Sequence, residues 1–304
     1  MTPSPARLGA LVGALVGALA VGACAGPPTG PEPGAPFQDA LALGATPDGR
    51  LWVVDGATGV LVVLRDGLVV DRWGGAGTGD DAFLDPVDVD PTNGQAVFVA
   101  DRAGGAVHQL TAEGRVAVSL PVPDVDPSRP LREVRPGAAR ARPLAVAAAP
   151  DGTLWVLDGA RRHVLRLSRE GDVERVLTGF AAPVDLALGD DGTLWVADAD
   201  RGVLRSFDAF GTPGRSVEVP GLGRLVGVAA EAGEVVALTA SMGVHFRDGA
   251  ERLFWRDEPY VRDDGTPPGP DGVYEPFRDV ALVDGGVVAL LPTRLSAVGG
   301  GDLD

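Results

Sequence analysis

The chain of 304 residues contains one cysteine, two tyrosines, two methionines, and no lysine or isoleucine. A single cysteine excludes an internal disulfide and a cysteine-rich zinc site. All 26 basic residues are arginines, and with 42 acidic residues the net charge is -16. This charge argues against nucleic-acid binding, which needs a basic face against phosphate. Because 45% of the residues are hydrophobic, the chain still has enough apolar side chains for a core of domain size.

Residues 1–23 have the pattern of an export signal, with Arg7 followed by sixteen small or apolar residues. That run is shorter than the roughly 20 residues of a membrane-spanning helix. It ends in Val-Gly-Ala before Cys24, which resembles the bacterial lipobox, where the cysteine carries diacylglycerol and becomes the mature N-terminus. The alternative is an ordinary signal peptide that is cut after Ala23 or Ala25.

These features predict a lipoprotein signal peptide over 1–23, a flexible Pro/Gly tether over 24–36 and a folded domain over 37–304. Two or three acyl chains hold a soluble domain on a membrane stably, whereas one chain holds it only marginally. We therefore expect an exported protein that is anchored to a bacterial membrane through its N-terminal lipid. Ala25, rather than aspartate, after the cysteine favours the outer membrane or cell surface over the cytoplasmic membrane.

The remainder of the chain repeats one unit six times. Four segments align without a gap. Two weaker copies follow them, VVALT at 235–239 and VVALL at 287–291. Those four segments are LWVVD, VFVAD, LWVLD and LWVAD, ending in Asp55, Asp101, Asp158 and Asp198. Other short apolar strands and Asp-Gly turns flank each copy. Units of about 40 residues with four short antiparallel strands predict an all-β, six-bladed β-propeller.

The stretch WGGAGTGDDAFLDPVDVDPTNGQAVFVAD over 73–101 resembles an NHL repeat, and similar pieces recur in the third and fourth units. The resemblance covers roughly residues 37–300 and implies a propeller of the NHL/SMP-30-like kind. It implies no reaction, since that fold hosts lactonases, lyases, adhesive ligands and scaffolds. The sixth unit has only three strands, so we expect a segment near Phe37 to complete it.

The aspartates that end the second strand of four units recur in the NHL pattern. This recurrence predicts a structural role, the acceptance of backbone N–H hydrogen bonds in the following turn. The residues concerned are Asp55, Asp101, Asp158 and Asp198.

A second series comes from aligning the first strand of each unit beside the central channel. Four carboxylates at one axial mouth repel one another and raise each other's pKa unless a cation neutralises them. Such oxygen ligands suit Ca²⁺ or another divalent cation, and the SMP-30-like resemblance implies an ion in this general place, although its Glu, Asn and Asp motifs are missing here. Alternatively, each aspartate caps a local amide or is solvated. The predicted metal ligands are Asp39, Asp88, Asp185 and Asp279, with Ala145 and Gly227 at the same position of the other units.

Two long insertions, 122–142 and 256–276, are expected on the face opposite the tight Asp-Gly turns. The first is locally basic, and the second carries the only two tyrosines. Long loops are often functional, and tyrosines are favoured contact residues. We predict ligand or partner contacts from Arg132, Arg135, Tyr260 and Tyr274. The alternative is that both loops are solvated and merely cover the channel.

No catalytic set is recognisable in the sequence. The three histidines fall in third strands, away from the axis, with no nucleophile or carboxylate predicted beside them. The sequence therefore favours an exported lipoprotein that acts as a binding module for a protein, glycan or small ligand through its loop-rich face. The alternative is a divalent-metal-dependent, lactonase-like hydrolase that uses the axial aspartates.

Overall fold

The computed structural model describes residues 36–91, 96–128, 141–219, 224–231, 233–247, 250–253, 276–283 and 286–298. These residues form six antiparallel sheets, five with four strands and one with three. The predicted all-β, six-bladed propeller is confirmed. Within the described ranges no helix is long and apolar enough to cross a membrane.

Each sheet is one blade, and its strands follow one another in chain order. Blade 1 contains β1 (Ala40–Ala45), β2 (Arg50–Asp55), β3 (Val60–Arg65) and β4 (Leu68–Gly74). Blade 2 contains β5 (Pro86–Asp90), β6 (Val97–Asp101), β7 (Ala106–Leu110) and β8 (Val116–Pro121). Blade 3 contains β9 (Pro143–Ala148), β10 (Leu154–Asp158), β11 (His163–Leu167) and β12 (Val173–Leu177).

The second half of the ring has the same order. Blade 4 contains β13 (Pro183–Leu188), β14 (Leu194–Asp198), β15 (Val203–Phe207) and β16 (Pro213–Glu218), with a 3₁₀ turn at Ala199–Arg201. Blade 5 contains β17 (Leu225–Glu231), β18 (Glu234–Thr239), β19 (Gly243–Arg247) and β20 (Ala250–Leu253). Blade 6 contains β21 (Asp279–Val283), β22 (Gly286–Leu290) and β23 (Leu295–Val298).

The hydrophobic core is divided into six clusters, one between each pair of neighbouring blades. Successive side chains of a strand point to opposite faces of its sheet, so every inner strand contributes to two clusters. The aromatic residue of the repeated segment packs in four of these interfaces. These residues are Trp52 between blades 1 and 2, Phe98 between 2 and 3, Trp155 between 3 and 4, and Trp195 between 4 and 5.

The ring closes where blade 6 meets blade 1. Phe37, which is 1% exposed, packs in one cluster with Ala281 and Leu290 of blade 6. The backbone N–H of Ala40 donates to the carbonyl of Pro292 at 2.7 Å. Within the described residues, the expected fourth strand of blade 6 does not form near Phe37, since the sheet of that blade contains three strands. The segment instead contributes a buried side chain to the interface between blades 6 and 1.

Candidate functional site

Aspartate alternates with a small residue around the propeller axis. The inner strands β5, β13 and β21 place Asp88, Asp185 and Asp279 opposite the penultimate residue of the second strand's repeated segment. The inner strands of the odd-numbered blades place a small residue at that same register. These small residues are Ala42, Ala145 and Gly227.

The blade 1 alignment that put Asp39 on the axis is wrong. Ala42 pairs with Val54 and occupies the axial register, whereas Asp39 lies just before β1. The Asp39 side chain is 46% exposed and lies 3.4 Å from Arg278. The structure therefore brings three of the four predicted carboxylates together and leaves the fourth outside the channel.

Each axial aspartate binds the backbone of the next blade. Asp88 Oδ2 accepts the Val146 N–H at 2.7 Å, which joins blade 2 to blade 3. Asp185 Oδ2 accepts the Val228 N–H at 2.8 Å, which joins blade 4 to blade 5. The third bond, from the Leu43 N–H to Asp279 Oδ2 at 2.7 Å, joins blade 6 to blade 1. Each axial aspartate therefore caps a backbone amide, as the alternative from the sequence held, but the amide belongs to the next blade.

The small residues leave the space that these carboxylates occupy. A Cβ atom added to Gly227 would lie 2.8 Å from Asp279 Oδ1 and 3.7 Å from Asp185 Oδ2. The Asp279 Oδ1 atom also accepts the N–H of Val280, so it has little freedom to withdraw. A larger side chain at position 227 would therefore occupy space that the carboxylates of Asp279 and Asp185 need.

Burial raises the pKa of all three axial carboxyls. The pKa of Asp185 rises to about 7, with backbone hydrogen bonds from Val228 and Leu186 partly opposing the effect of burial. The pKa values of Asp88 and Asp279 rise well above the usual range because of burial first and then the negative charge of Asp185. All three carboxyls therefore hold a proton more tightly than exposed carboxylates do, and Asp185 is only partly ionised near neutral pH.

A cavity of about 680 Å³ occupies the channel and is lined by the inner strands of all six blades. It extends from the axial aspartates to the turns that follow these strands, at Pro47, Pro91 and Pro150. The cavity thus lies on the tight-turn side of the aspartates, not on the face where function was predicted. Its acidic lining residues are Asp88, Asp90, Asp185, Asp190, Glu231 and Asp279, and no arginine or histidine lines it in the described part of the chain.

A metal centre is not evident from the geometry. Among the described residues, no three or more His, Cys, Asp or Glu side chains come together closely enough to hold an ion. The axial carboxylates point toward backbone N–H groups of their neighbours and have raised pKa values, and both features weaken them as ligands. A bound Ca²⁺ or other divalent cation stays a prediction from the sequence.

In blades 1–4 the blade-end aspartate accepts backbone N–H groups of the segment that enters the blade, and in blades 1–3 it also accepts one from the turn after the second strand. Asp55 accepts the N–H groups of Gln38 and Asp39, which precede β1, and that of Ala57 in the turn after β2. The corresponding bonds in blade 4 run from Ala181 and Ala182 to Asp198. Blades 2 and 3 repeat the arrangement with Leu84, Asp85 and Gly104 on Asp101, and with Arg142 and Ala160 on Asp158.

The expectation that the histidines have no carboxylate partner is wrong. His245 Nε2 lies 2.9 Å from Glu234 Oε2, and His163 Nε2 lies 3.5 Å from Asp158 Oδ2. In blade 2, His108 Nε2 lies 3.4 Å from the carboxylate of Asp101. The sequence conceals these pairs because each joins a second strand, or the end of one, to the neighbouring third strand through register alone.

Several predicted site residues fall outside the described part of the chain. They are Cys24, Arg132, Arg135, Tyr260 and Tyr274. The described ends of the first insertion pack into the protein: Val125 and Ala141 are buried in the core between blades 2 and 3, and Asp124 pairs with Arg161 at 2.8 Å.

No protein-family model and no curated protein sequence matches the chain. Solved structures do match. A streptogramin B lyase has a TM-score of 0.60 at 11% identity, covering 88% of this chain and 95% of its own. A catalytically inactive variant of virginiamycin B lyase from Staphylococcus aureus with quinupristin has a TM-score of 0.57 at 12% identity, covering 87% and 85%. Selenomethionine-substituted virginiamycin B lyase from the same organism has a TM-score of 0.56 at 12% identity, covering 85% and 94%.

The likeness shows the fold. At 11–12% identity it carries no activity, substrate or catalytic residue to this chain. The propeller fold of the chain thus has solved counterparts, and the NHL/SMP-30-like resemblance remains an interpretation of the sequence.

Proposed function

We propose that this protein is an exported, lipid-anchored binding propeller that takes a small cationic organic ligand into its axial cavity. The observation that carries this proposal is the cavity itself, whose six acidic side chains have no arginine or histidine beside them in the described lining. A volume of about 680 Å³ is within the usual range of small-molecule sites.

The chemistry of the lining favours an amine with an apolar body. The negative charges of the axial carboxyls add to the raised pKa values of Asp88 and Asp279, and the positive charge of an ammonium group would relieve that repulsion. Apolar lining residues that keep partial exposure, such as Leu188, Ala230 and Leu282, supply apolar surface near the carboxylates. An ammonium group would lie near Asp88, Asp185 and Asp279, and the rest of the ligand would extend toward the turns.

Matched probes test the ligand class. Ligand-observed NMR with a panel of aliphatic and aromatic amines, each paired with its neutral alcohol isostere, should give binding for the amines alone. Asp190→Asn, at the rim of the cavity, should weaken that binding. Asp191→Asn is the control, because its carboxylate bonds the Thr193 N–H and does not line the cavity. Equal binding of amines and alcohols would contradict the proposal.

The N-terminal sequence supports the anchor. Cys24 follows a Val-Gly-Ala segment at the end of an apolar run, and a Pro/Gly tether separates it from blade 1. Expression of the full chain in a bacterial host with a radiolabelled fatty acid should label the wild type and leave it in the membrane fraction. Cys24→Ala should abolish both the label and the retention; if both persist, the anchor proposal is wrong.

A metal-dependent hydrolase is the second candidate. It is supported by the three carboxylates around the axis, and the structural neighbours include lyases. Turnover of a simple aldonolactone that is lost with EDTA and restored by Ca²⁺ or Mn²⁺ would favour this candidate over the binding module. Partners such as a protein or glycan at the loop-rich face remain compatible with either function, and nucleic acid is disfavoured by the net charge of -16.

A further inference from the structure

Three polar side chains form a hydrogen-bonded series on the outer half of blade 2, away from the axial cavity. His108 Nδ1 lies 2.8 Å from Ser119 Oγ, and His108 Nε2 lies 3.4 Å from Asp101 Oδ2. Asp101 is buried, His108 is 13% exposed, and Ser119 is exposed on β8. We propose that Ser119 is a nucleophile for small carboxylic esters, with His108 as its general base and Asp101 as the residue that positions the imidazole.

The carboxylate is fixed and ionised. Burial alone would raise the pKa of Asp101, but the hydrogen bond from His108 and the backbone N–H groups of Leu84, Gly104 and Asp85 outweigh it and lower the pKa to about 2. An anionic partner at Nε2 keeps the imidazole proton on that nitrogen. The Nδ1 lone pair is then available to accept the hydroxyl proton of Ser119, which is the relation between base and nucleophile in serine hydrolases.

The strand register sets the distance between base and nucleophile. The Val122 N–H donates to the Gly105 carbonyl, so these two residues are a hydrogen-bonded pair. From there along β7 and β8, pairs with and without mutual backbone hydrogen bonds alternate. His108 and Ser119 are therefore a pair without mutual backbone hydrogen bonds, in which the side chains approach most closely.

The same register supplies a donor for the oxyanion. In such a pair the backbone N–H of Ser119 points away from β7, toward the outer edge of the sheet. β8 is the last strand of the blade, and no described strand pairs with that edge. Pro121, which has no N–H, occupies another outward-facing register of β8, as this geometry allows. The Ser119 N–H is thus placed beside its own hydroxyl, where a tetrahedral intermediate would develop negative charge.

The reaction balances without a cofactor. Ser119 Oγ forms a bond to the ester carbonyl carbon while its proton passes to His108 Nδ1. The carbon–alkoxy bond then breaks, and the imidazolium returns the proton to the leaving alkoxide, which departs as an alcohol. Water attacks the acyl-serine by the same route and releases the carboxylic acid.

Active-site labelling tests the proposal in the full chain. A fluorophosphonate probe should modify Ser119, identified by intact mass and peptide mapping, and Ser119→Ala should abolish that adduct. His108→Gln should slow labelling about 100-fold, the usual contribution of a general base. Hydrolysis of p-nitrophenyl acetate should fall in parallel, while thermal melts verify that each variant is folded.

Ser216 provides a matched control within the chain. It is exposed on β16, the outermost strand of blade 4, but its cross-strand partner is Arg205 instead of a histidine. Ser216 should remain unlabelled, and Ser216→Ala should leave labelling of Ser119 unchanged. Equal modification of both serines, or a Ser119 rate that is the same in folded His108→Gln, would overturn the proposal and leave the three residues with a structural role.

Discussion

Asp279 Oδ2 accepts a hydrogen bond of 2.7 Å from the backbone N–H of Leu43, 236 positions earlier in the sequence. This bond joins the last blade to the first, beside the axis, where the hydrophobic clusters alone would leave the Leu43 donor unpaired. Equivalent bonds join blade 2 to blade 3 and blade 4 to blade 5, so the three aspartates link the six blades in three pairs. The axial carboxylates are therefore part of the propeller's construction as well as of its cavity.

Removal of the closing bond should destabilise the ring. Asp279→Ala leaves the buried Leu43 N–H without its partner, and such a loss costs about 1–3 kcal/mol. We expect that decrease in the free energy of unfolding, measured by urea denaturation. Hydrogen exchange should also accelerate in β1 and β21.

Asp39→Ala is the control for this experiment. Its side chain is half-exposed and lies 3.4 Å from Arg278, an arrangement worth little in water. A stability of Asp279→Ala equal to that of Asp39→Ala would show that ring closure does not depend on the axial bond.

Stability should fall as the pH rises from about 4 through neutrality. The pKa of Asp185 is raised in the folded protein to about 7 from an ordinary value of 3.8, so the native state holds its proton more tightly than the unfolded state. Its stabilising contribution is complete below the unfolded pKa and is lost as the pH passes the folded pKa. Asp88 and Asp279 shift in the same direction.

The measurement is a series of thermal melts. Between pH 5 and pH 8 we expect Tm to fall by about 5–10 °C, since 1 kcal/mol corresponds to a few degrees in a domain of this size. Asp185→Asn should flatten that slope. Below pH 4 the trend should reverse, because Asp48 and Asp101 have folded pKa values lowered to about 2, by hydrogen bonds that outweigh burial, and lose their contribution on protonation. A flat profile from pH 5 to pH 8 in the wild type would contradict the raised pKa values.

Gly227→Ala should be destabilising although it adds only one methyl group. The new Cβ would lie 2.8 Å from Asp279 Oδ1 and 3.7 Å from Asp185 Oδ2, so the closing carboxylate must move. Overpacking of this kind costs about 1–3 kcal/mol. Gly79→Ala is the control, since its nearest neighbour would be 3.8 Å away at the Ala82 methyl. If urea denaturation gives equal stability for the two variants, the gap at Gly227 is not a constraint.

The blade repeat could be predicted from sequence because its signal is local. The segments ending in Asp55, Asp101, Asp158 and Asp198 lie within single strands, and each shows strand alternation followed by a turn. Their bonds also remain local, since every partner belongs to the same blade. The recurrence of these segments was therefore enough to predict both the propeller architecture and the structural role of their aspartates.

The axial series was harder to predict because, in blade 1, the aspartate in the sequence does not lie at the register that faces the axis. Asp88 and Asp185 precede their blade-end aspartates by 13 residues, as Ala42 precedes Asp55, whereas Asp39 precedes it by 16. Counting from the blade end would have selected Ala42. The bonds to the next blade have no local signal at all, since they depend on how closely two inner strands approach at the axis.

Divalent metal should have little effect on the melt if the axial carboxyls act mainly as blade links. Each carboxylate already accepts a backbone N–H from the next blade, as in the pair of Asp88 and Val146. We expect Tm to move by less than about 2 °C on addition of EDTA and then of millimolar Ca²⁺ or Mn²⁺, because a ligand stabilises the fold only in proportion to its occupancy. A rise of several degrees that Asp88→Asn removes would instead support the metal-dependent candidate.

The blade-end aspartate should be costly to remove and partly replaceable by asparagine. Asp198→Ala deprives the N–H groups of Ala181 and Ala182 of their acceptor, and two unsatisfied donors predict a loss of about 2–4 kcal/mol. Both donors reach Oδ1, at 3.1 and 2.7 Å, so the single carbonyl oxygen of Asp198→Asn can serve them and should recover more than half of that loss. Asp200→Ala is the control two residues away, where a 58% exposed side chain lies 3.9 Å from Arg224 and should contribute less than about 0.5 kcal/mol. Urea denaturation of the three variants decides the matter, because a purely electrostatic role would make asparagine as damaging as alanine.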